Sequence, residues 1–184
     1  VKEALIVTCN QTHSIIENAV MAIRKGKIEV LCHAQCDIVK TLKAKKTISA
    51  KGKMVLPGLI NMHCHAGDSL FRGLVENLPL EDWLKRVWIA EKAILTPHTT
   101  YLGSVLGFAE NLLSGVTCVM DMFWYPDEAV HAAQMLGMRV STGGLFFDFS
   151  GIGERSHKKY IEEAKEFSQR FSGTADVFPV VMPH

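Results

Sequence analysis

The feature that most constrains this chain is an alternation beginning at Met54, in which apolar runs of strand length are separated by helical segments that close on glycine. Val55 to Ile60 leads into a buried strand that ends near His63. Thr96 is a good N-cap with Pro97 at the first helical position. Leu102, Val105, Leu106, Ala109, Leu112 and Leu113 follow at the three- and four-residue spacing of an apolar helix face. Gly115 closes that helix just past its end. Val116 to Met120 reads as the next strand and Pro126 to Leu136 as a helix closed by Gly137. Met138 to Phe147 contains a third strand, Glu154 to Phe171 is a charged amphipathic helix, and Val177 to Met182 is a fourth strand. Nearly continuous apolar strands of this kind are expected to be buried on both faces, as parallel strands are. The fold class is therefore α/β, and the architectures open to it are a doubly wound sheet and a (β/α)8 barrel. Neither a G-x-G-x-x-G turn nor a P-loop follows any strand, which weakens the nucleotide-binding version. In both architectures ligands gather at the carboxyl ends of the strands.

The first fifty residues have a different character. Ala4 to Val7 is a compact apolar run, and Ala19 to Arg24 and Lys27 to Leu31 flank Lys25-Gly26, a turn of hairpin length. Asp37 to Lys43 has room for one or two helical turns before Thr47-Ile48-Ser49 extends again. This division predicts a small β unit over 1–53 and alternating β/α units over 54–184. A length of 184 residues suits one ordinary domain, or one small domain plus part of another.

Composition removes several partners. Twenty basic and nineteen acidic residues leave a net charge of +1, which gives no reason to expect nucleic acid or an anionic membrane surface. The longest apolar stretches are too short to cross a bilayer. Five cysteines at irregular spacing (Cys9, Cys32, Cys36, Cys64 and Cys118) make a poor disulfide framework. A reducing, cytoplasmic setting is the expectation, and packing rather than metal binding is expected of Cys32 and Cys36.

The chemistry centres on His63-Cys64-His65. In an extended chain residues i and i+2 point to one face, so both imidazoles are expected to aim the same way at a strand's carboxyl end. Two neutral imidazoles suit zinc, iron, nickel or cobalt, and ligand type alone does not choose among them. Asp121 also ends a strand. It can hydrogen-bond a ligand histidine from behind, or equally cap the next loop. His98, His131 and His157 fall in helices and read as structural or exposed, while His13 and His33 lie in the β unit, far from the expected site.

Leu56-Pro57-Gly58-Leu59-Ile60-Asn61-Met62-His63-Cys64-His65 resembles the opening of the amidohydrolase superfamily barrel. Phe71-Arg72-Gly73-Leu74, Leu78-Pro79-Leu80-Glu81-Asp82-Trp83-Leu84 and Gly115 to Met122 are similar to one branch of it. That branch contains triazine chlorohydrolases and the deaminases of S-adenosylhomocysteine, methylthioadenosine and guanine. The resemblance runs the length of the chain. It implies the front half of a (β/α)8 barrel, preceded by part of a small β-sandwich.

The resemblance further implies one divalent metal, with zinc expected first, held in part by His63 and His65. The implied activity is hydrolysis of C–N bonds other than peptide bonds by a metal-activated water, on an aromatic amine, purine or nucleoside. The alternatives are a triazine-type chlorohydrolase and a truncated non-catalytic relative serving in binding or assembly. A small-molecule substrate and homo-oligomerisation of the complete protein are expected.

Glu91 matches the glutamate that binds ribose hydroxyls in the nucleoside deaminases. His184, in Val181-Met182-Pro183-His184, matches the family's Pro-His element that contacts substrate or the attacked centre. Only four barrel strands are countable. The family's other metal ligands, a histidine after the fifth strand and an aspartate after the eighth, are expected beyond His184, with the proton-shuttling glutamate. A catalytic zinc normally takes at least three protein ligands, so the 184-residue chain alone is expected to be inactive or nearly so. One local departure stands out. Adenosine-type deaminases tend to carry an arginine before the glycine that ends the third strand, and this chain reads Ser141-Thr142-Gly143-Gly144-Leu145.

Overall fold

The computed structural model describes residues 1–147 and 155–183. It divides into two units, Val1–Pro57 and Gly58–His184. In the first, a four-stranded sheet has the order β3-β2-β1-β4, with β1 Ala4–Val7, β2 Ile15–Arg24, β3 Lys27–His33 and β4 Met54–Val55. Lys25 and Gly26 both take positive φ, as the two central residues of a tight β2–β3 hairpin must. A five-residue helix, α1, spans Asp37–Thr41. Ala4, Ile6, Ala19 and Ala50 form the buried centre of this unit. The division falls after Pro57 rather than after Lys53, because Met54 and Val55 pair in parallel with Leu5 and Ile6 of β1.

The second unit is a parallel sheet in simple sequence order: β5 Leu59–Cys64, β6 Val116–Asp121, β7 Arg139–Phe146 and β8 Val177–Pro183. Helices α2 Leu80–Ile94, α3 Pro97–Leu113, α4 Pro126–Leu136 and α5 His157–Phe171 connect and cover it. The sequence signals for their ends have physical counterparts. Thr96 accepts a hydrogen bond from the Thr99 N–H while the Thr99 hydroxyl accepts from the Thr96 N–H, a reciprocal cap at α3. Gly137 closes α4 at φ 69°. The expected start of the last helix at Glu154 lies outside the described residues, and α5 begins at His157.

The strands sink one face into a core shared with the helices. Val119, Val140 and Val177 sink into one core with Phe108, Ala129, Val130, Ala133, Met138 and Phe167 from the helices. In β5, however, Leu59, Ile60 and Met62 are 54 %, 63 % and 63 % exposed. Strand β5 is an edge that pairs only with β6 among the described residues.

Helix α3 buries only part of the face its apolar spacing marks, with Val105 and Leu112 packed on this core. Leu102, Leu106 and Leu113 are exposed, whereas Thr100, Gly103, Ser104, Gly107 and Phe108 are buried. The small residues are needed for contact. A Cβ on Gly103 would sit 2.4 Å from the Gly67 carbonyl oxygen, and one on Gly107 would sit 3.1 Å from that of Ala66. Close backbone approach, not apolar spacing, decides this face. It docks α3 against a 3₁₀ segment, Ala66–Phe71, that begins immediately after His65.

Candidate active site

Strand β5 does not run evenly into the histidines. Asn61 pairs with Val119 and Cys64 with Asp121, so β5 advances three residues while β6 advances two. This bulge turns Cys64 toward the helix-side core, where it packs against the buried cluster. His63 and His65 flank it and stand on the other side of the chain. Asn61 secures the bulge. Its side-chain oxygen accepts from the His63 N–H at 3.1 Å, and its amide donates to Asn111 of α3 at 3.1 Å. The two imidazoles are exposed, with ring centroids 4.8 Å apart and planes at 88°.

The His65 ring is held from behind. Its Nδ1 lies 2.7 Å from the Met122 carbonyl oxygen. A carbonyl only accepts, so Nδ1 carries a proton, and in the neutral ring Nε2 keeps its lone pair. The Met122 N–H in turn donates to the Cys64 carbonyl at 3.0 Å. Asp121 acts one residue further along. Fully buried, it accepts through Oδ1 from the Ala66 N–H at 2.7 Å and does not reach the imidazole. Asp121 caps the next segment, and a backbone carbonyl hydrogen-bonds the histidine ring. Burial pushes the Asp121 carboxyl up to about 6, against the opposing influence of the Ala66 N–H and of His65. Burial and the neighbouring Asp121 charge push the Cys64 thiol up to about 12, so it stays a packed thiol.

Glu91 comes from α2 and is only 4 % exposed. Its Oε2 accepts from the Trp124 indole N–H at 2.8 Å, and Trp124 stacks on Phe147 at 4.8 Å. Beside Glu91 lies Asp68, in the 3₁₀ segment. Burial and the Glu91 charge push its carboxyl up to about 8, so near neutral pH it holds a proton and hydrogen-bonds Glu91. Asp68, Glu91 and His65 line one cavity with Trp83, Trp88 and Trp124. Glu91 and His65 line the same cavity, together with Asp68, which sequence reasoning missed. The available signal was its place three residues past His65, one turn of a 3₁₀ segment. His184 lies outside the described residues. His98, His131 and His157 are exposed on their helices.

The donor set admits a metal only as part of a larger ligand group. His63 and His65 present two imidazoles on one side of the chain, but among the described residues no group of three His, Cys, Asp or Glu side chains can hold an ion. All five cysteines are free thiols, and no helix among the described residues is long and apolar enough to cross a membrane.

Residues 54–184 match the model of the amidohydrolase family. A 5-methylthioadenosine/S-adenosylhomocysteine deaminase from Aquifex aeolicus is 36 % identical over 165 residues, covering 89 % of this chain and 37 % of the relative. A 5′-deoxyadenosine deaminase from Methanosarcina barkeri is 34 % identical, covering 96 % and 39 %. Among solved structures, an adenosine deaminase from Xanthomonas campestris with bound zinc superposes with a TM-score of 0.81 at 24 % identity, over 100 % of this chain and 43 % of that one. An atrazine chlorohydrolase from Arthrobacter aurescens TC1 complexed with zinc gives 0.83 at 19 %, over 99 % and 46 %. The chain spans about two fifths of the length of the curated relatives it matches.

Proposed function

Because the chain belongs to the amidohydrolase family, we propose that the full-length protein is a metal-dependent hydrolase of C–N bonds outside peptides, acting as an aromatic-amine or purine-nucleoside deaminase. The observation that carries this reading is the paired imidazoles of His63 and His65, the second with its Nε2 freed by the Met122 carbonyl, beside a cavity that holds Glu91. The deaminases among the relatives favour C–N over C–Cl cleavage. Here the first-unit sheet is one layer of a β-sandwich, and the four parallel strands are the front of a barrel.

His63 and His65 would hold a divalent ion, zinc in the first instance, with further ligands from parts of the protein this chain does not span. Such an ion supplies Lewis-acid activation of water near neutral pH. Glu91, fixed by Trp124, accepts hydrogen bonds from the substrate's hydroxyl or amino groups. Asp121 positions the backbone just past His65. His184 is assigned to the substrate or attacked centre on the family resemblance alone. We also infer a cytoplasmic homo-oligomer acting on a small molecule.

Gly143 narrows the substrate. A Cβ there would lie 2.1 Å from the Val180 carbonyl oxygen, so no side chain fits without moving the backbone of β8. A guanidinium for an anionic substrate tail has no place at that position, which favours small aromatic amines over S-adenosylhomocysteine.

The test is metal analysis of the purified full-length protein together with ammonia release across purines, purine nucleosides, pterins and aminotriazines. Ammonia release that stops on chelation and returns with zinc is expected. Absence of both metal and ammonia overturns the proposal, and chloride release from chlorotriazines alone replaces it with the halide-removing reaction.

A further inference from the structure

The cavity beside His65 has an unusual charge balance. Among its described lining residues the ionisable side chains are His65, Asp68 and Glu91, and no lysine or arginine enters it. Its walls are aromatic, with Trp83, Trp88, Phe123, Trp124 and Phe147 contributing. The Trp124 N–H already occupies one oxygen of Glu91. One oxygen of Asp68, Oδ1, is buried with no hydrogen-bond partner among the described residues. An orphaned buried acceptor beside a carboxylate, enclosed by rings whose faces are electron-rich, is matched by a donor-rich cation.

We propose that the Asp68–Glu91 end of this cavity receives a positively charged group of the substrate, an ammonium or amidinium, with Trp83, Trp88 and Trp124 as its walls. This rests on the cavity being the substrate site of the proposed deaminase, and it defines the substrate class as aromatic amines that also carry a cationic substituent. Asp68 is then a specificity-determining residue. Glu91 supplies the carboxylate, and Asp68 adds its unpartnered buried oxygen as a further acceptor.

The experiment reads binding separately from turnover. The metal-loaded full-length protein is titrated with 2-phenylethylammonium and with 2-phenylethanol, following the fluorescence of the cavity tryptophans. Near neutral pH the ammonium nitrogen has no lone pair to ligate the metal, and its N–H groups supply the donors that the Asp68 oxygen lacks. We expect the ammonium to bind at least about tenfold more tightly than the neutral alcohol. That advantage should shrink to about threefold or less in Glu91→Gln, which keeps an acceptor for Trp124, and should fall by a smaller factor in Asp68→Asn.

Equal binding of the two probes by the unaltered protein overturns the proposal. So does an advantage unchanged in both variants, or no ammonium binding up to about 10 mM. Ammonia release from neutral and cationic amines alike would leave the deaminase reading standing and remove this one. Charge-sorted binding without ammonia from any amine would do the reverse.

Discussion

The Nδ1 of His65 lies 2.7 Å from the carbonyl oxygen of Met122, 57 positions away in sequence but adjacent at the carboxyl edge of the sheet. This contact selects the tautomer with Nε2 free, and imidazole in that state is a ready metal ligand. Substituting His65→Ala in the full-length protein is expected to weaken zinc binding by more than about 100-fold, since disturbing a ligand's supporting partner alone costs 10–100-fold. Competition with a chromogenic chelator measures it. Zinc affinity unchanged within about threefold would remove His65 from the ligand set.

Asp68 makes stability depend on pH. Its native carboxyl titrates near 8, far above its ordinary 3.8, because burial and Glu91 disfavour the charge. Between those values the native state holds a proton that the unfolded chain has released. Stability therefore falls as pH rises from about 4 to about 8. Asp68→Asn retains a donor toward Glu91 without an ionisable proton, so it should be more stable than the unaltered protein at pH 8, by roughly 1–2 kcal/mol, and no more stable at pH 4. Denaturant titrations at the two pH values check this. A variant destabilised equally at both would mean Asp68 is not protonated in the native state.

Gly103 sets how closely α3 approaches the segment after His65. Because a Cβ there would lie 2.4 Å from a backbone oxygen, Gly103→Ala should destabilise the protein by about 1–3 kcal/mol despite alanine's better helix propensity. Thermal unfolding reads the loss. A stabilised variant would show that this contact relaxes freely.

Gly143 is the counterpart on β7. Gly143→Arg should not create binding of carboxylate-tailed purines. It should lower stability by about 2 kcal/mol or more, because the obstructing atom is the Val180 backbone oxygen rather than a side-chain end. Calorimetric titration with a carboxylate-tailed purine and a parallel urea melt distinguish the outcomes, and gain of tight binding in a stable variant would contradict the steric argument.

Much of this molecule was legible before its structure. The Thr96-Pro97 start, the glycines at 115 and 137 and the apolar runs located α3, α4 and β6 to β8, because caps and turn residues act through their immediate neighbours. His63 and His65 were legible as a pair on one side of a strand, since that relation is local geometry. The inward face of α3 was legible only in Val105 and Leu112, because apolar spacing does not register the close backbone approach at Gly103 and Gly107.

Nor were the partners of the site residues. That the Met122 carbonyl holds the His65 ring, that Asp121 caps Ala66, and that Asp68 meets Glu91 across 22 intervening positions depend on which chain segments fold together. Sequence by itself determined the element order, the helix ends and the candidate ligands, because short-range sterics and hydrogen bonds dictate them. Only the tertiary structure decided which carboxylates share a cavity and which carry protons, because burial and charge proximity are properties of space rather than of chain position.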